Sequence, residues 1–348
     1  ELTPTGCGEA VKEHTMNVKG PYTMRGMVLA GGSALLCQLL ASGMGPAAAA
    51  DFPRKPVRLV IPSAPGGGTD LVARVLAQKL TEQMGQSVVV DNKPGANGNI
   101  GGAQVAKAAG DGYTLLYNTS SITLSPALYK NLSYDVQKDL APVALTAVVP
   151  LALVVHPSIP ANTVREFVEY ARANPDKLSY GSAGNGNVTH LAAFQFTKNL
   201  GIEATHVSYR GSAPADVDLV AGQIQFMTDT INSVMPFVND KRLKLLAVTT
   251  AKRMSLFPNV PTLAETVMPG FEAGAWQGVM VPAKTPPELV QRLNAEINKA
   301  LQSDEVRAKL AIQGAEPLGS TSEEYRTYIG KELQRWAGVV KSTGIKLD

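Results

Sequence analysis

Along this chain, short apolar runs rich in β-branched residues alternate with longer stretches whose apolar residues recur every three or four positions. The first pattern predicts buried strands and the second amphipathic helices. The clearest pair opens at Val57. Residues 57–61 are short, β-branched and stopped by Pro62, as expected of a buried parallel strand. Leu71, Val72, Val75, Leu76 and Leu80 then mark one face of a helix. Pro65-Gly66-Gly67-Gly68 turns the chain between them, with Thr69 expected as N-cap and Asp70 in the first turn, where a carboxylate suits the helix dipole. Two readings of this stretch are open. It is a tight β–α turn, or it is a glycine loop at a helix N-terminus that offers backbone N–H groups to an anion.

The alternation continues downstream. Strands are predicted at 87–90, 113–117, 178–181, 204–208, 225–228, 243–249 and 278–281, and helices at 100–109, 189–200, 286–302, 306–313 and 323–342. A further helix ends at Ala221. Residues 143–156, interrupted by Pro150, read as two short strands or one bent one, carrying the chain between domains. Thr163-Val164-Arg165-Glu166 is a capping-box pattern opening a helix to Asn174. Residues 251–274 are proline-rich without clear period and read as a crossing or linker. Strand–helix alternation of this kind predicts an α/β protein with parallel strands. The glycine-loop pattern recurs once, in Ser182-Ala183-Gly184-Asn185-Gly186-Asn187 before the 189–200 helix.

Composition changes this picture mainly by exclusion. The 348 residues carry a net charge of +3, with no basic run longer than Lys241-Arg242, so nucleic acid is not an expected partner. The N-terminal fifty residues stand apart. From Met24 the order is Met-Arg, an apolar run over 27–40, then Pro46 and four alanines to Ala50. That is a signal peptide with cleavage expected before Asp51; residues 1–23 precede it without hydrophobic period. Gly31, Gly32, Ser33, Gln38, Ser42 and Gly43 break the run too often for a membrane span. Both cysteines, Cys7 and Cys37, lie in the leader, so the mature chain is expected to lack thiol and disulfide chemistry.

Candidate chemistry is then narrow. The mature histidines His156, His190 and His206 have no paired metal-ligand spacing, so no metal is expected. The sequence holds no nucleophile elbow, no P-loop and no complete dinucleotide fingerprint, so neither catalysis nor a cofactor is expected. Ser182 with His190 lacks an orienting acid. What remains suits a carboxylate: two glycine loops at helix N-termini, hydroxyls and amides, and Asp229 at a strand end. Thr119 and Ser120 follow the third strand at its carboxyl end, where open α/β sheets bind ligands or where hydroxyls cap a helix. His190 is either a ligand contact or local packing. Asp229 either faces the far end of a ligand or caps the helix near Val234.

The ordered motifs resemble one family. They are residues 57–62 with Pro65-Gly66-Gly67-Gly68-Thr69-Asp70, Asp91-Asn92-Lys93-Pro94-Gly95-Ala96 with Gly98, and Asp111-Gly112-Tyr113-Thr114-Leu115. They continue as Tyr180-Gly181-Ser182-Ala183-Gly184 with His190-Leu191, Tyr209-Arg210-Gly211, Arg253 with residues 258–265, and Trp276-Gln277-Gly278. Together they resemble the Bug family, periplasmic solute receptors of tripartite tricarboxylate transporters, over residues 51–348. The resemblance implies a two-lobed type II periplasmic-binding-protein architecture, each lobe a mostly parallel sheet flanked by helices. It implies lobe 1 from residues 51–151 and 271–348, and lobe 2 from 152–270, with a small organic carboxylate held between them.

The implied ligand-binding residues are Ala64, Gly67, Gly68, Thr69, Asp70, Thr119, Ser120, Ser182, Ala183, Gly184, Asn187, His190, Tyr209 and Asp229. Asp229 falls where the family reads the ligand's far end. Ser63, and Met227-Thr228 before Asp229, depart from the family pattern and bear on which ligand is read. The expected protein is a monomeric periplasmic receptor serving membrane transporter subunits. The rival readings are a carboxylate sensor feeding a signalling protein, and an enzyme on the same fold.

Overall fold

The apolar run 57–61 forms strand β1 (Val57–Ile61), its side chains buried on both faces, and the chain turns directly into helix α1 (Gly68–Met84). The computed structural model describes residues 52–343; the expected leader, its cleavage point before Asp51 and both cysteines lie outside the described residues. In chain order β2 (Val88–Asn92), α2 (Asn99–Ala106), β3 (Thr114–Thr119), α3 (Ser121–Leu128) and β4 (Leu140–Val155) follow. Then come α4 (Val164–Ala173), β5 (Ser179–Ser182), α5 (Val188–Asn199), β6 (Thr205–Ser208), α6 (Ser212–Val220), β7 (Phe226–Thr230) and α7 (Ile231–Asn239). The chain closes with β8 (Lys244–Val248), α8 (Leu263–Thr266), β9 (Gly274–Pro282), α9 (Pro287–Gln302), α10 (Asp304–Ile312), β10 (Glu316–Pro317) and α11 (Ser322–Thr343).

The strands form one curled sheet in the order β2-β1-β3-β9-β4-β7-β5-β6, with β8 and β10 also paired to β4. Pairing is parallel where a helix separates consecutive strands, as in β1 with β2 and β3, and β5 with β6 and β7. It is antiparallel wherever β4 or β9 takes part. The segment read over 143–156 is therefore one continuous strand as far as Val155. Its residues up to Pro150 pair with β9, and Leu151 onward pair with β7 and β8. Along β4, Ala152 and Val154 enter one core and Leu153 and Val155 the other, so both faces are covered by helices. Trp276, Met280, Tyr325 and Ile329 fill a third cluster beneath β3 and β9.

Four local expectations change. Helix α1 begins at Gly68, capped by the backbone of Gly67, so Thr69 lies inside the helix. Residues 118 and 119 complete β3, and α3 follows with Ser120 as its cap. The stretch read as linker contains α8, opened by a full capping box: Thr262 Oγ accepts from Glu265 N–H, and Glu265 returns the contact to Thr262 N–H. In Thr163–Glu166 only half of that motif forms, because Glu166 reaches past the cap to Asn162 N–H at 2.7 Å.

Candidate functional site

The carboxyl ends of the parallel strands and the helix starts that follow them surround a cleft of about 410 Å³. The first turns of α1, α5 and α6 all open onto it, through Gly68 and Thr69, Val188 and Thr189, and Ser212. Two of these helices are capped by glycine, Gly67 and Gly211, with no side chain to satisfy the leading N–H groups. Among the described residues, the N–H groups of Gly68 and Thr69 meet no acceptor. Three helix N-termini thus bring partial positive charge to one place. No aspartate or glutamate lines the cleft, and Arg210 is its one charged lining side chain among the described residues.

Close approach holds the two sides together. A Cβ built on Gly67 lies 3.7 Å from Ser212 Cβ, so the starts of α1 and α6 are neighbours. Gly68 leaves no room for a side chain at all: a Cβ there runs into the Thr230 hydroxyl and the Asn232 amide. Asn232 Nδ2 donates to Gly68 O at 2.9 Å, a bond between the α7 start and the α1 start. Gly211 sits at φ +129°, a region that favours glycine, with Ala64 pressed against it. On the opposite rim Asn97 Nδ2 donates to Gly186 O at 3.1 Å, and Tyr129 hydroxyl donates to Asn185 O at 3.2 Å.

Of the residues expected from sequence, Gly67, Gly68, Thr69, Thr119, Ala183, Gly184, Asn187 and Tyr209 line this cleft together. The others stand behind its walls. Ala64 packs under Gly211 and accepts from Gly67 N–H at 3.4 Å. Asp70 is buried inside the loop it follows: it accepts from Gly66 N–H (2.9 Å), Arg74 Nε (2.8 Å) and Asn92 Nδ2 (2.9 Å). Burial alone would raise its pKa, but the Arg74 contact and the two hydrogen bonds hold it below the usual value. Ser120 is buried beneath the α3 start.

Ser182 and His190 support the second loop rather than face the cleft. Ser182 Oγ lies 2.7 Å from His206 Nε2, and His190 Nδ1 accepts from Gly186 N–H at 3.1 Å. The two imidazoles stack with centroids 3.9 Å apart. Burial, and for His190 also the neighbouring ring, pushes their pKa values down to about 3 for His190 and about 4 for His206. Asp229 is fully buried within β7 and caps no helix beyond it; Thr230 stands at the α7 cap. Its Oδ1 accepts from Ser212 Oγ and from Thr230 N–H.

Ser63 and Ser121, which the sequence placed near the ligand, line the cleft too, and the structure adds the turn Pro94 to Gly98, Tyr129, Arg210, Ser212 and Thr230. Strand β6, Gly211 and α6 repeat the strand–glycine–helix order of the opening stretch with a single glycine, a signal present in the sequence. Tyr129 and Thr230 carry no such local mark.

The description "Tripartite tricarboxylate transporter family receptor" matches residues 72–345. Protein BugT of Bordetella pertussis (strain Tohama I) is 39% identical over 304 residues, covering 87% of this chain and 93% of that protein. An R. palustris protein solved with adipate is 38% identical with a TM-score of 0.83, covering 85% of this chain and 99% of its own. MatC from Rhodopseudomonas palustris, solved with bound malate, is 33% identical with a TM-score of 0.78, covering 83% of this chain and 100% of its own.

Proposed function

This chain belongs to the tripartite tricarboxylate transporter receptor family, and we propose that it is a periplasmic receptor that captures a small organic carboxylate. The observation that carries this reading is the ring of helix N-termini around a cleft lined, among the described residues, by no acidic side chain. A carboxylate there accepts hydrogen bonds from N–H groups that the fold leaves without a partner, and it meets the favourable end of several helix dipoles. The bound adipate and malate of the two R. palustris proteins are ligands of the same chemical class.

We further propose that residues 51–151 with 271–348 form one lobe and 152–270 the other, closing on the ligand. Contacts such as Gly68 with Asn232, and Asn97 with Gly186, would belong to the closed form. Ligand and closure then stabilise each other, since only the closed form offers both walls at once. The captured acid is handed to membrane subunits of a transporter.

A thermal-shift panel tests the reading. At least one small carboxylate should raise the melting temperature, by about 2.7 kcal/mol of stabilisation at a hundredfold excess over Kd. Matched alcohols and amines without the carboxylate should not. A panel in which no carboxylate shifts the transition overturns the proposal.

A further inference from the structure

Asp229 has no surface on the cleft, yet it controls two groups that do. Ser212 Oγ lies 2.7 Å from Asp229 Oδ1, Thr230 N lies 2.6 Å away and Thr230 Oγ1 3.4 Å away. Ser212 and Thr230 both line the cleft and are only 8% and 5% exposed. The Thr230 N–H can only donate, so Asp229 Oδ1 is an acceptor and the two hydroxyl contacts run toward it as well.

Asp216 reaches the other side of the Asp229 carboxyl. Asp216 lies on α6, one turn beyond Ser212, and its other oxygen takes the Ser233 hydroxyl. Asp216 Oδ1 and Asp229 Oδ2 are both buried without a further partner, which one proton between the two carboxyls resolves. Burial, then the charge of Asp229, pushes Asp216 well above the carboxylate range, while burial lifts Asp229 to about 6. Wherever that proton sits between the two, Asp229 Oδ1, which already takes the Thr230 N–H, has only acceptor capacity left.

With its hydrogen committed to Asp229, the Ser212 oxygen can only accept from the cleft. The Ser212 backbone N–H, at the start of α6, can only donate. One residue thus offers an anion site and, beside it, an acceptor. Thr230 adds a second hydroxyl polarised the same way. Resting on the carboxylate reading, we infer that this cleft selects carboxylic acids bearing a hydroxyl or ammonium donor over otherwise identical acids that lack one. Asp229 acts as a positioning residue that fixes the direction of the Ser212 and Thr230 hydroxyls.

Calorimetric titration at pH 7.5 with matched pairs tests this: malate against succinate, lactate against propionate, aspartate against succinate. In at least one pair the donor-bearing acid should bind about tenfold tighter or better, since the unmatched acid leaves a buried acceptor unpaired. Ser212→Ala should collapse that ratio toward one while the plain acid keeps its affinity. Asp229→Ala, which leaves Ser212 in place but frees its hydroxyl to rotate, should shrink the ratio as well. Equal affinities within every binding pair overturn this inference and leave the carboxylate reading standing. A preference that survives Ser212→Ala overturns it too. If no member of any pair binds, this inference falls, while the carboxylate reading is still decided by the thermal-shift panel.

Discussion

The loops at residues 64–68 and 183–187 both follow a buried strand and both open a helix onto the cleft. In the first, the cap is Gly67, and among the described residues the leading amides of α1 have no acceptor. In the second, Asn187 caps α5 and takes Thr189 N–H; Ala183 N–H goes to Thr189 Oγ1 and Gly186 N–H goes to His190. The first loop is stiffened from behind by one carboxylate, Asp70, so its forward face stays open. The second is stiffened from within by hydroxyls, an amide and a neutral imidazole. Glycine content alone does not make a donor array. What decides is whether the fold has already used the N–H groups.

The sharpest way to break this comparison is at the glycines. Gly68→Val drives a side chain into Thr230 and Asn232 and should remove at least about a hundredfold of carboxylate affinity, as read by calorimetry. Gly184→Ala meets only Tyr209 O, at 3.5 Å, and should lose no more than about tenfold through backbone strain at φ +144°. Equal losses at the two sites would dissolve the distinction between the loops.

Asp70→Ala should destabilise the protein by about 2–3 kcal/mol in urea unfolding, because Gly66 N–H and Asn92 lose a buried acceptor. Arg74 adds little, since its side chain is half exposed. A change under about 0.5 kcal/mol would show that the loop does not depend on this carboxylate.

Acid should reach the two supports in different windows. An unfolded histidine takes up a proton near pH 6.5, but the folded rings resist until about 4 for His206 and about 3 for His190. Protonation of the unfolded chain therefore drains stability as the pH falls from 6.5 toward 4. Asp70, held below its ordinary value, gives stability that is intact above pH 3.8 and lost only below it. Asp229, raised to about 6, pulls the opposite way between 4 and 6, so the comparison must be made against a variant. The stability gap between wild type and His206→Gln should shrink steadily from pH 6.5 to 4. A constant gap would contradict the neutral-imidazole support.

The smallest expected effect is Asn187→Ala. It removes the α5 cap and a 2.9 Å contact to Ser121, and should destabilise by about 1 kcal/mol.

Much of this architecture is legible along the chain where local rules act alone. β1 runs over the expected residues because an apolar β-branched run bounded by proline has few other uses. The cleft-facing glycines were legible too. Pro150 leaves two short strands or one bent one open in the sequence, because proline marks an end in most strands; here it stands where a single β4 changes partners from β9 to β7 and β8. Asp229 is legible as a strand-end acid, but not the direction in which it faces. That depends on Ser212 and Asp216, which reach it from α6 across the sheet. Asp70 is similar: its partner Asn92 comes from β2. Local pattern reveals the donors; only tertiary packing reveals which of them are already taken.

Strand β4 has a consequence for how the chain must assemble. Its residues up to Pro150 find their partners at 274–282, and those from Leu151 find theirs at 226–230 and 244–248. Neither half of the sheet can complete its hydrogen bonding until segments far apart along the backbone have met, more than a hundred residues apart for the β9 half and about 70 to 96 for the β7 and β8 half. Loop-closure entropy of that size slows the search and joins both halves into one cooperative transition. A fragment that ends between β8 and β9 would carry a strand with half its ladder empty, an exposed edge ready to pair with another chain.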